Sequence, residues 1–505
     1  MGTSTDQIDV KTARLAHPGK EEQIRRAVLL LLGLFILGVM VVGAFGIVDP
    51  DIWWHLRTGQ WVVQHGTVPA TDPFSSYGAA NRWIAYSWLF DLLVYGLFQS
   101  FGLAGLVYYN IALSLAIAVA LFALITRLEA GFLESLLLTL LCVAGMLPIL
   151  VTPRSWLFTI FFFVITLNVL LTARRTGSSG KLWLLPAVFA VWANLHVQFV
   201  YGFFLLGLAT AESFFQKALD RFRPVLESNA IAPRQMVVVS VACGLATLVN
   251  PYNYRLYLAL LDLFNQSGFY DLITELQAPQ FRIFTDYLVL ALVVAASFAI
   301  GLRRRVSPFV AIFFSTGLFV SFRSQRDIWF VTIAAVVAIA QLWPGKSSDR
   351  FVPTWKQIAA IVLILPVLIG FSMRRMGFSE ALLQQKVAEK LPVAAASVVE
   401  HRGYSGPLYN QFEWGGYLIW RLQTLPVAID GRSNIYGVEK TIRSLKVWSG
   451  TPDWAADSEL AASRLVIAER DKPLSSLLKL DPRFELVYED QVALVFISRP
   501  GVSRR

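Results

Sequence analysis

The sequence predicts a polytopic α-helical membrane protein that carries a soluble α/β domain at its C-terminal end. Of its 505 residues, 56% are hydrophobic and only 15% are charged, whereas a soluble domain carries about 25% charged residues. Apolar stretches of roughly 17–25 residues, long enough to cross a bilayer, recur as far as Met373. From Arg374 onward the charged residues return and the apolar runs shorten. These observations divide the chain into a membrane part and a soluble part.

About eleven membrane spans are expected, each an apolar stretch without a charge inside it. They are Ala27–Val48, Leu103–Thr126, Ser135–Val151, Ser155–Ala173, Leu182–Phe199, the shorter Val200–Ala211, Gln235–Tyr252, Tyr287–Leu302, Val306–Phe322, Ile328–Trp343 and Gln357–Met373. Residues 1–26 then form an N-terminal tail. Residues 27–373 form the transmembrane domain with a first outer loop at 49–102, and residues 374–505 form the C-terminal domain.

The net charge of +10 is interpreted as a topology signal. Nucleic-acid binding would require basic residues on one solvated face, but here they lie in short loops. With eleven spans all the basic clusters fall on the cytoplasmic side, which places the N-terminus in the cytoplasm and the C-terminal domain outside it. The clusters comprise Lys11, Arg14, Lys20, Arg25 and Arg26; Arg127; Arg174, Arg175 and Lys181; Lys217, Arg221, Arg223 and Arg234; Arg303, Arg304 and Arg305; and Lys346 and Arg350.

This agreement requires Trp83–Gln99 to be a helix that lies on the outer surface, since a twelfth span would put two basic clusters outside. The two cysteines, Cys142 and Cys243, fall inside predicted spans. They are interpreted as small core residues, so that no disulfide framework or thiolate metal site is expected.

The C-terminal domain is expected to alternate helices and short strands. Predicted helices are Glu380–Leu391, Val393–Arg402, the amphipathic Gly416–Leu422 and a helix around Leu474–Leu480. Predicted strands are Pro407–Asn410, Pro426–Asp430, Leu465–Ala468 and Ala493–Ile497.

Nearly all the unusual polar residues of the membrane part fall on the outer side in this topology, whereas the cytoplasmic loops carry little beyond sorting charges. The outer set is Asp49, Asp51, His55, Asn194, His196, Gln198, Asn250, Asp271, Glu275, Arg282, Arg323, Arg326 and Asp327. Such an asymmetric set of acids, amides, histidines and arginines at one membrane interface indicates a functional site.

The residue types suggest roles in a transfer reaction. Asp51 lies near the start of a predicted helix, Trp53–Gln64, where the helix dipole favours an ionised carboxylate that can accept a proton. His55 follows one turn later on the same side. Arg323 and Arg326 share a helix face, and their guanidinium groups suit a phosphate that gains negative charge on leaving.

At these residues the sequence resembles a family. The run DPDIWWHL at 49–56, with GTVPATDPFS at 66–75, resembles the first outer loop of bacterial type C membrane glycosyltransferases. Further matches are Trp192–His196, Asn250–Tyr252, Glu275, Arg323–Arg326, Tyr409-Asn410, Trp414–Leu418 and Ile429–Arg432. The resemblance implies a hexosyl- or pentosyltransferase of cell-envelope glycan biosynthesis in the bacterial cytoplasmic membrane. It would move a sugar from a polyprenyl-phosphate carrier to a glycan, lipid or protein acceptor outside the cytoplasm.

Carried over residue by residue, the resemblance implies that Asp51 is the catalytic base, with Asp49 as second choice and His55 beside them. Arg323 or Arg326 would meet the lipid phosphate, and Asn194, His196 and Glu275 would bind substrate. Leu276 and Val197 depart from the family pattern, in which tryptophan and glycine are frequent, and this puts acceptor identity in doubt. Some members bind a divalent cation through these acids and others need none, so a metal is left open and no other cofactor is expected.

Two other functions are weighed against transfer. A flippase or transporter for lipid-linked glycans would place substrate groups near the midplane on broken helices in two related halves, which this sequence lacks. A non-catalytic assembly protein would not need Asp51.

Structural roles are also open for several motifs. Asp49 and Asp51 would cap a helix, Trp53, Trp54 and Trp61 would form an interfacial aromatic belt, and Asn250-Pro251 would stop a helix. The pairs Gly415-Gly416 and Asp430-Gly431 would form turns.

Overall fold

The structure is a computed structural model that describes residues 19–499 except 46–48, 80, 129, 223–230, 266–267, 269–272, 304–305 and 343–350. Several residues singled out above lie outside the described residues: Lys11, Arg14, Arg223, Asp271, Arg304, Arg305, Lys346 and Arg350.

Fifteen helices are described in the membrane part. They are α1 (Lys20–Ala44), α2 (Ile52–His65), α3 (Trp88–Phe101), α4 (Leu103–Arg127), α5 (Phe132–Gly145), α6 (Leu147–Leu150), α7 (Trp156–Thr176), α8 (Leu185–Leu195), α9 (Val200–Phe222), α10 (Pro233–Ala246), α11 (Arg255–Asn265), α12 (Phe284–Gly301), α13 (Pro308–Arg323), α14 (Ile328–Leu342) and α15 (Trp355–Arg375).

Seven of the described helices are long and apolar enough to cross a membrane: α1, α4, α7, α9, α12, α14 and α15. Apolar helices of 10–17 residues include α3, α5, α8, α10 and α13. Each of the eleven stretches predicted as spans overlaps one of these helices, so the protein is a multi-pass membrane protein. The number of crossings stays a prediction.

The two ends of the helix bundle differ in their chemistry. We call the end at which Asp49 and Asp51 lie the upper end, and Arg154, just before α7, contacts both of them. At the other end of α7 lies Arg174, whose guanidinium donates through Nε and Nη2 to the carboxylate of Glu212 on α9, at 2.7 Å each.

Arg174 and Glu212 form a buried ion pair, with side chains only 2% and 1% exposed. Ser307, at the start of α13, completes the cluster: its hydroxyl accepts from Arg174 at 3.0 Å and donates to Glu212 at 2.9 Å. Arg174, grouped above with the sorting charges of a loop, lies instead in the last turn of α7 and is paired there. A carboxylate removed from water needs a charged partner, and α7 supplies it.

Helix α2 confirms the helix predicted at Trp53–Gln64, and α3 begins at Trp88, five residues later than predicted. Trp83 instead pairs with the preceding loop, its N–H donating to the carbonyl of Ala70 at 3.1 Å. Trp53 and Trp54 are buried, and Trp53 packs edge-on against Tyr417 of the C-terminal domain, 5.1 Å between ring centroids. The aromatic-belt interpretation is wrong for these two tryptophans because they face protein. The cysteines Cys142 and Cys243 are buried, as predicted.

The C-terminal domain is a small mixed sheet covered by helices. Its helices are α16 (Glu380–Ala388), α17 (Val393–Arg402), α18 (Gly415–Arg421), α19 (Ser433–Trp448), α20 (Ser458–Ala462) and α21 (Pro473–Leu480). Its strands are β1 (Leu408–Asn410), β2 (Leu465–Glu469), β3 (Phe484–Glu489) and β4 (Ala493–Ser498). The sheet order is β1-β2-β4-β3, with β1 and β2 parallel and the other pairs antiparallel.

The four predicted helices are observed, as are three of the four predicted strands. The strand predicted at Pro426–Asp430 is wrong: Val427 makes a single bridge, and its partner is Ser75 of the first loop rather than a strand of the sheet. The sequence pattern there reflects burial against the membrane part, which also produces a run of apolar residues.

The domain is joined to the upper end by hydrogen bonds. The N–H of Val427 donates to the carbonyl of Phe74 at 3.1 Å, and the N–H of Ser76 donates to the carbonyl of Val427 at 2.8 Å. The side-chain amide of Asn81 donates to the carbonyl of Ile435 at 2.7 Å. Gly416 allows close approach, because a Cβ there would overlap the carbonyl oxygen of Pro50. The sequence segment 49–102 and the C-terminal domain thus form one packed unit.

Candidate active site

A cavity of about 450 Å³ opens at the upper end of the bundle. Its polar lining comprises Asp51, His55, Tyr86, Arg154, His196, Gln198, Glu275, Arg323, Arg326, Asp327, Arg432, Ser433 and Asn434. Its apolar lining comprises Trp54, Trp156, Val200, Tyr201, Phe204, Leu260, Leu276, Phe319, Val320 and Phe330, among others. The cavity therefore has a charged mouth between the first loop and the C-terminal domain, and an apolar portion between α9, α11, α13 and α14.

The centre of the charged mouth is a pair of carboxylates bound by one guanidinium. Arg154 donates through Nε to Asp49 and through Nη1 to Asp51. The N–H of Asp51 also donates to Oδ1 of Asp49 at 2.8 Å, which fixes the loop that carries both acids. Asp51 is the residue before α2, but its side chain makes no capping hydrogen bond. The helix-cap interpretation of Asp51 is therefore wrong, since its carboxylate faces Arg154 and the cavity.

The two acids differ in exposure. The side chain of Asp49 is 2% exposed and that of Asp51 is 16% exposed, so that Asp49 lies behind Asp51. Burial raises the pKa of Asp49 to about 6; the charge of Asp51 adds to this rise, and Arg154 opposes it. Burial would lower the pKa of Arg154, but the charges of Asp49 and Asp51 outweigh burial and raise it, so the guanidinium stays charged.

Two histidines line the cavity, and both are held by neighbouring side chains. His55 shares a hydrogen bond with Asp91 on α3, Nδ1 to Oδ1 at 2.5 Å, and its ring stacks on Trp54. Burial and the nearby charge of Arg154 hold the pKa of His55 well below its ordinary value. Nδ1 of His196 bonds to the hydroxyl of Thr159 at 2.8 Å. Both rings are thus fixed in orientation, and His55 is neutral at pH 7.

One wall of the mouth is basic. Arg323 ends α13, and Arg326 lies in the following turn, where its Nη1 is 3.5 Å from the carboxylate of Glu275. Burial would raise the pKa of Glu275, but Arg326 and Arg154 outweigh it and lower the pKa. The indole of Trp156 carries both Arg154 and Arg326, with guanidinium carbons 5.1 and 4.9 Å from the ring centroid. Such cation–π packing fixes the two positive groups beside the cavity.

Five buried polar atoms of cavity-lining residues find no hydrogen-bond partner among the described residues: Nε1 of Trp54, Oε1 of Gln198, Oγ of Ser324, Nε of Arg326 and Oδ1 of Asp327. Buried polar groups are nearly always paired in proteins. Unpaired polar atoms thus cluster in the residues around this one cavity.

The C-terminal domain closes one side of the mouth with the segment 431–434. Arg432 is buried and donates to both of its acidic neighbours, to Asp72 of the first loop at 2.8 Å and to Asp430 at 2.6 Å. This network places the backbone of Gly431 against Asp51, where a Cβ would lie 2.9 Å from Cγ of the acid and overlap its Oδ1. The turn interpretation of Asp430-Gly431 is therefore incomplete, because the two residues connect the soluble domain to the carboxylate pair.

The structure brings most of the predicted site residues together. Six of them line the cavity: Asp51, His55, His196, Glu275, Arg323 and Arg326. Asp49 does not line it but binds Arg154, which does. Asn194 does not line it: its amide donates to the carbonyl of Val249 at 2.7 Å and accepts from the indole of Trp88 at 2.9 Å. Asn194 lies in the last turn of α8, and its side chain connects that helix to α3 and to the segment after α10 instead of facing the cavity. Asn250 donates to the carbonyl of Thr247 at 2.6 Å, as expected of a helix stop.

Arg154 and Arg432 are the functional side chains that the sequence reasoning missed. Arg154 follows the third predicted span, so the predicted topology puts it on the outer side, against the sorting bias that keeps basic residues in the cytoplasm. That signal singled out Arg323 and Arg326, and it was equally present at Arg154. Arg432 lay within a noted motif, but no spacing or periodicity connects it to Asp72.

The fold is that of several solved membrane transferases. Archaeal oligosaccharyltransferase AglB from Archaeoglobus fulgidus, in complex with an inhibitory peptide and a dolichol-phosphate, aligns with a TM-score of 0.51 at 11% identity over 88% of this chain and 69% of its own. ArnT from Cupriavidus metallidurans aligns at 14% identity, with a TM-score of 0.50 when bound to undecaprenyl phosphate and 0.51 in the apo state. The alignment with the undecaprenyl phosphate complex covers 96% of this chain and 99% of ArnT, and the alignment with the apo state covers 93% of this chain and 97% of ArnT.

No protein-family model and no curated protein matches the sequence. At such low identity the structural likeness concerns the fold alone. It nevertheless agrees with the resemblance seen in the first-loop motif. This chain has the fold of the type C membrane glycosyltransferases.

Proposed function

We propose that this protein is a membrane glycosyltransferase that moves a sugar from a polyprenyl-phosphate donor to an acceptor hydroxyl in the upper cavity. One observation carries the proposal. Asp51, Arg323 and Arg326, which are far apart in the sequence, line the same cavity. A proton acceptor and two cations therefore line one space that is large enough for a sugar phosphate.

The two parts of the cavity suit the two parts of such a donor. The mouth offers Arg323, Arg326 and the charged Arg154 to a phosphate, and planar guanidinium groups bind phosphate oxygens in pairs. The apolar portion, with Phe204, Leu260 and the other side chains described above, suits a prenyl chain. AglB and ArnT, which share the fold, were solved with dolichol-phosphate and undecaprenyl phosphate respectively.

The reaction follows from this arrangement. Asp51 accepts the proton of the acceptor hydroxyl as its oxygen attacks the anomeric carbon of the donor. The new carbon–oxygen bond forms while the bond from the anomeric carbon to the phosphate oxygen breaks. The polyprenyl phosphate leaves with the electron pair, and the fixed charges of Arg323 and Arg326 stabilise the negative charge that it gains.

The basic clusters support an orientation in which the upper end faces away from the cytoplasm and the N-terminus faces it. The protein would then act in the cytoplasmic membrane of a bacterium on a glycan, lipid or protein acceptor.

Replacing the proposed base tests the function. Asp51→Asn keeps the side-chain volume but removes proton acceptance, so transfer should fall by about 10²–10⁴-fold. The assay follows the release of undecaprenyl phosphate from a panel of undecaprenyl-phosphate-linked hexoses and pentoses in the presence of the cell-envelope fraction. Asp286→Asn removes a carboxylate from the start of α12, outside the cavity lining, and should transfer normally.

Full transfer by a folded Asp51→Asn protein would refute the proposed base. A wild-type protein that carries labelled lipid-linked sugar across vesicles without cleaving it would indicate a flippase instead.

A further inference from the structure

The position between Asp49 and Asp51 is the place where a type C transferase that uses a metal would hold it. Two carboxylates near each other attract a divalent cation, and such a cation prefers six or more oxygen ligands. The groups around these two acids therefore decide whether a metal ion can bind between them.

The groups present do not fit a metal. The described residues contain no group of three or more His, Cys, Asp or Glu side chains placed to hold an ion. The two carboxylates are instead bridged by Arg154, with Nε on Asp49 and Nη1 on Asp51. The space between the acids is filled by a cation that belongs to the chain, and a second cation there would be repelled by it.

We propose that Arg154 takes the place of a divalent metal ion, holding Asp49 and Asp51 in position so that the site works without one. The statement about metal binding rests on geometry alone. Its catalytic consequence rests on the proposed function.

Arg154 is built to stay in this position. It is 9% exposed, its guanidinium packs over the ring of Trp156, and its carbonyl accepts a hydrogen bond from the hydroxyl of Tyr109 at 2.7 Å. The N–H groups of its planar guanidinium have fixed directions and can bond to one oxygen of each carboxylate, which a lysine ammonium cannot do with the same geometry. Tyr109 thus holds the backbone of Arg154, and Trp156 and the two carboxylates hold its guanidinium, so Arg154 is a positioning residue for Asp51.

A direct measurement of metal binding tests the proposal without any transfer assay. Purified protein in nanodiscs is titrated with Mn²⁺, and the free ion is followed by its electron paramagnetic resonance signal. The wild type should bind no Mn²⁺ at the acid pair. Arg154→Ala removes the guanidinium and leaves two neighbouring carboxylates, so it should gain one site with a dissociation constant on the order of 10⁻⁴–10⁻³ M, as weak carboxylate sites have.

Two variants control for the change in charge. Arg326→Ala removes a guanidinium from the same cavity but leaves Arg154 between the acids, and it should gain no site. Arg154→Ala combined with Asp51→Asn should lose the site that the single variant gains. If Arg154→Ala does not fold, Arg154→Gln replaces it, since its amide keeps part of the packing volume and carries no charge.

A saturable Mn²⁺ site in the wild type that disappears in Asp51→Asn would overturn the proposal. So would a folded Arg154→Ala protein that binds no Mn²⁺, because the arginine would then not be what keeps the metal out.

The transfer assay adds a separate result. Wild-type transfer should be unchanged by EDTA, and Arg154→Ala should lose about 100-fold or more, with Arg154→Lys recovering only part of it. Inhibition of the wild type by EDTA that added Mn²⁺ reverses would also overturn the proposal. An absence of transfer under all conditions would refute the proposed function while leaving the Mn²⁺ result to decide the role of Arg154.

Discussion

At Gly431 a single added methyl group can test whether the soluble domain positions Asp51 in the active site. In Gly431→Ala the new Cβ would lie 2.9 Å from Cγ of Asp51, whereas ordinary van der Waals contact begins at 3.4 Å, and it would overlap Oδ1. The carboxylate or the 431–434 segment must therefore move by more than half an ångström. Displacements on the order of 1 Å at a reacting group cost about 10²-fold in rate, so transfer should fall by about that factor.

The assay is the release of undecaprenyl phosphate described above, measured with donor at saturating and limiting concentrations. The loss should fall on kcat, because Gly431 faces the carboxylate rather than the basic wall that would bind the donor phosphate. Gly244→Ala is the matched control: its Cβ would meet no atom within 4 Å, and it should transfer normally. Near-normal turnover by folded Gly431→Ala protein would show that the domain does not position Asp51, and the reasoning would fail.

Two further predictions concern charged groups at the two ends of the bundle. The pKa of Asp49 is raised to about 6, so below pH 6 its carboxyl is protonated and its ion pair with Arg154 is lost. Transfer should therefore fall as the pH drops through 6. In a pH–rate profile, Asp49→Asn should abolish that dependence. At the lower end, Glu212→Ala should destabilise the protein by about 3–5 kcal/mol because it leaves Arg174 buried and unpaired, whereas the double change Arg174→Met with Glu212→Leu should restore much of the melting temperature. Equal melting temperatures for the single and double variants would contradict the second prediction.

The membrane helices were predictable because hydrophobicity is local. A bilayer requires long apolar runs, and all the predicted spans coincide with helices whatever the arrangement of their neighbours. The prediction that Asp51, Arg323 and Arg326 lie on the same face of the membrane came from counting those runs and from the sorting of basic residues. Their convergence on one cavity follows from the same count, since every element that ends on one face of a bundle has its terminal residues there.

Contacts between the soluble domain and the first loop were not predictable in the same way. The strand expected at Val427 is a segment whose apolar residues are buried against the first loop, and burial by a sheet or by a loop gives the same sequence pattern. Arg432 and Asp72 are both charged residues in polar surroundings, and neither position shows a periodicity that identifies its partner. Asn194 illustrates the opposite error: it lies two residues from His196, yet the helix turns its side chain to a different neighbour.

The network around Arg432 also sets the order in which the cavity can be completed during synthesis. Gly431 and Arg432 follow all the described helices of the membrane part in the chain, and they complete the mouth of the cavity only once the C-terminal domain has folded onto Asp72. A nascent chain with all its membrane helices in place would already hold the acid pair through Arg154, but its cavity would lack the wall formed by residues 431–434. A ligand that needs this wall could then bind only after the last domain has docked.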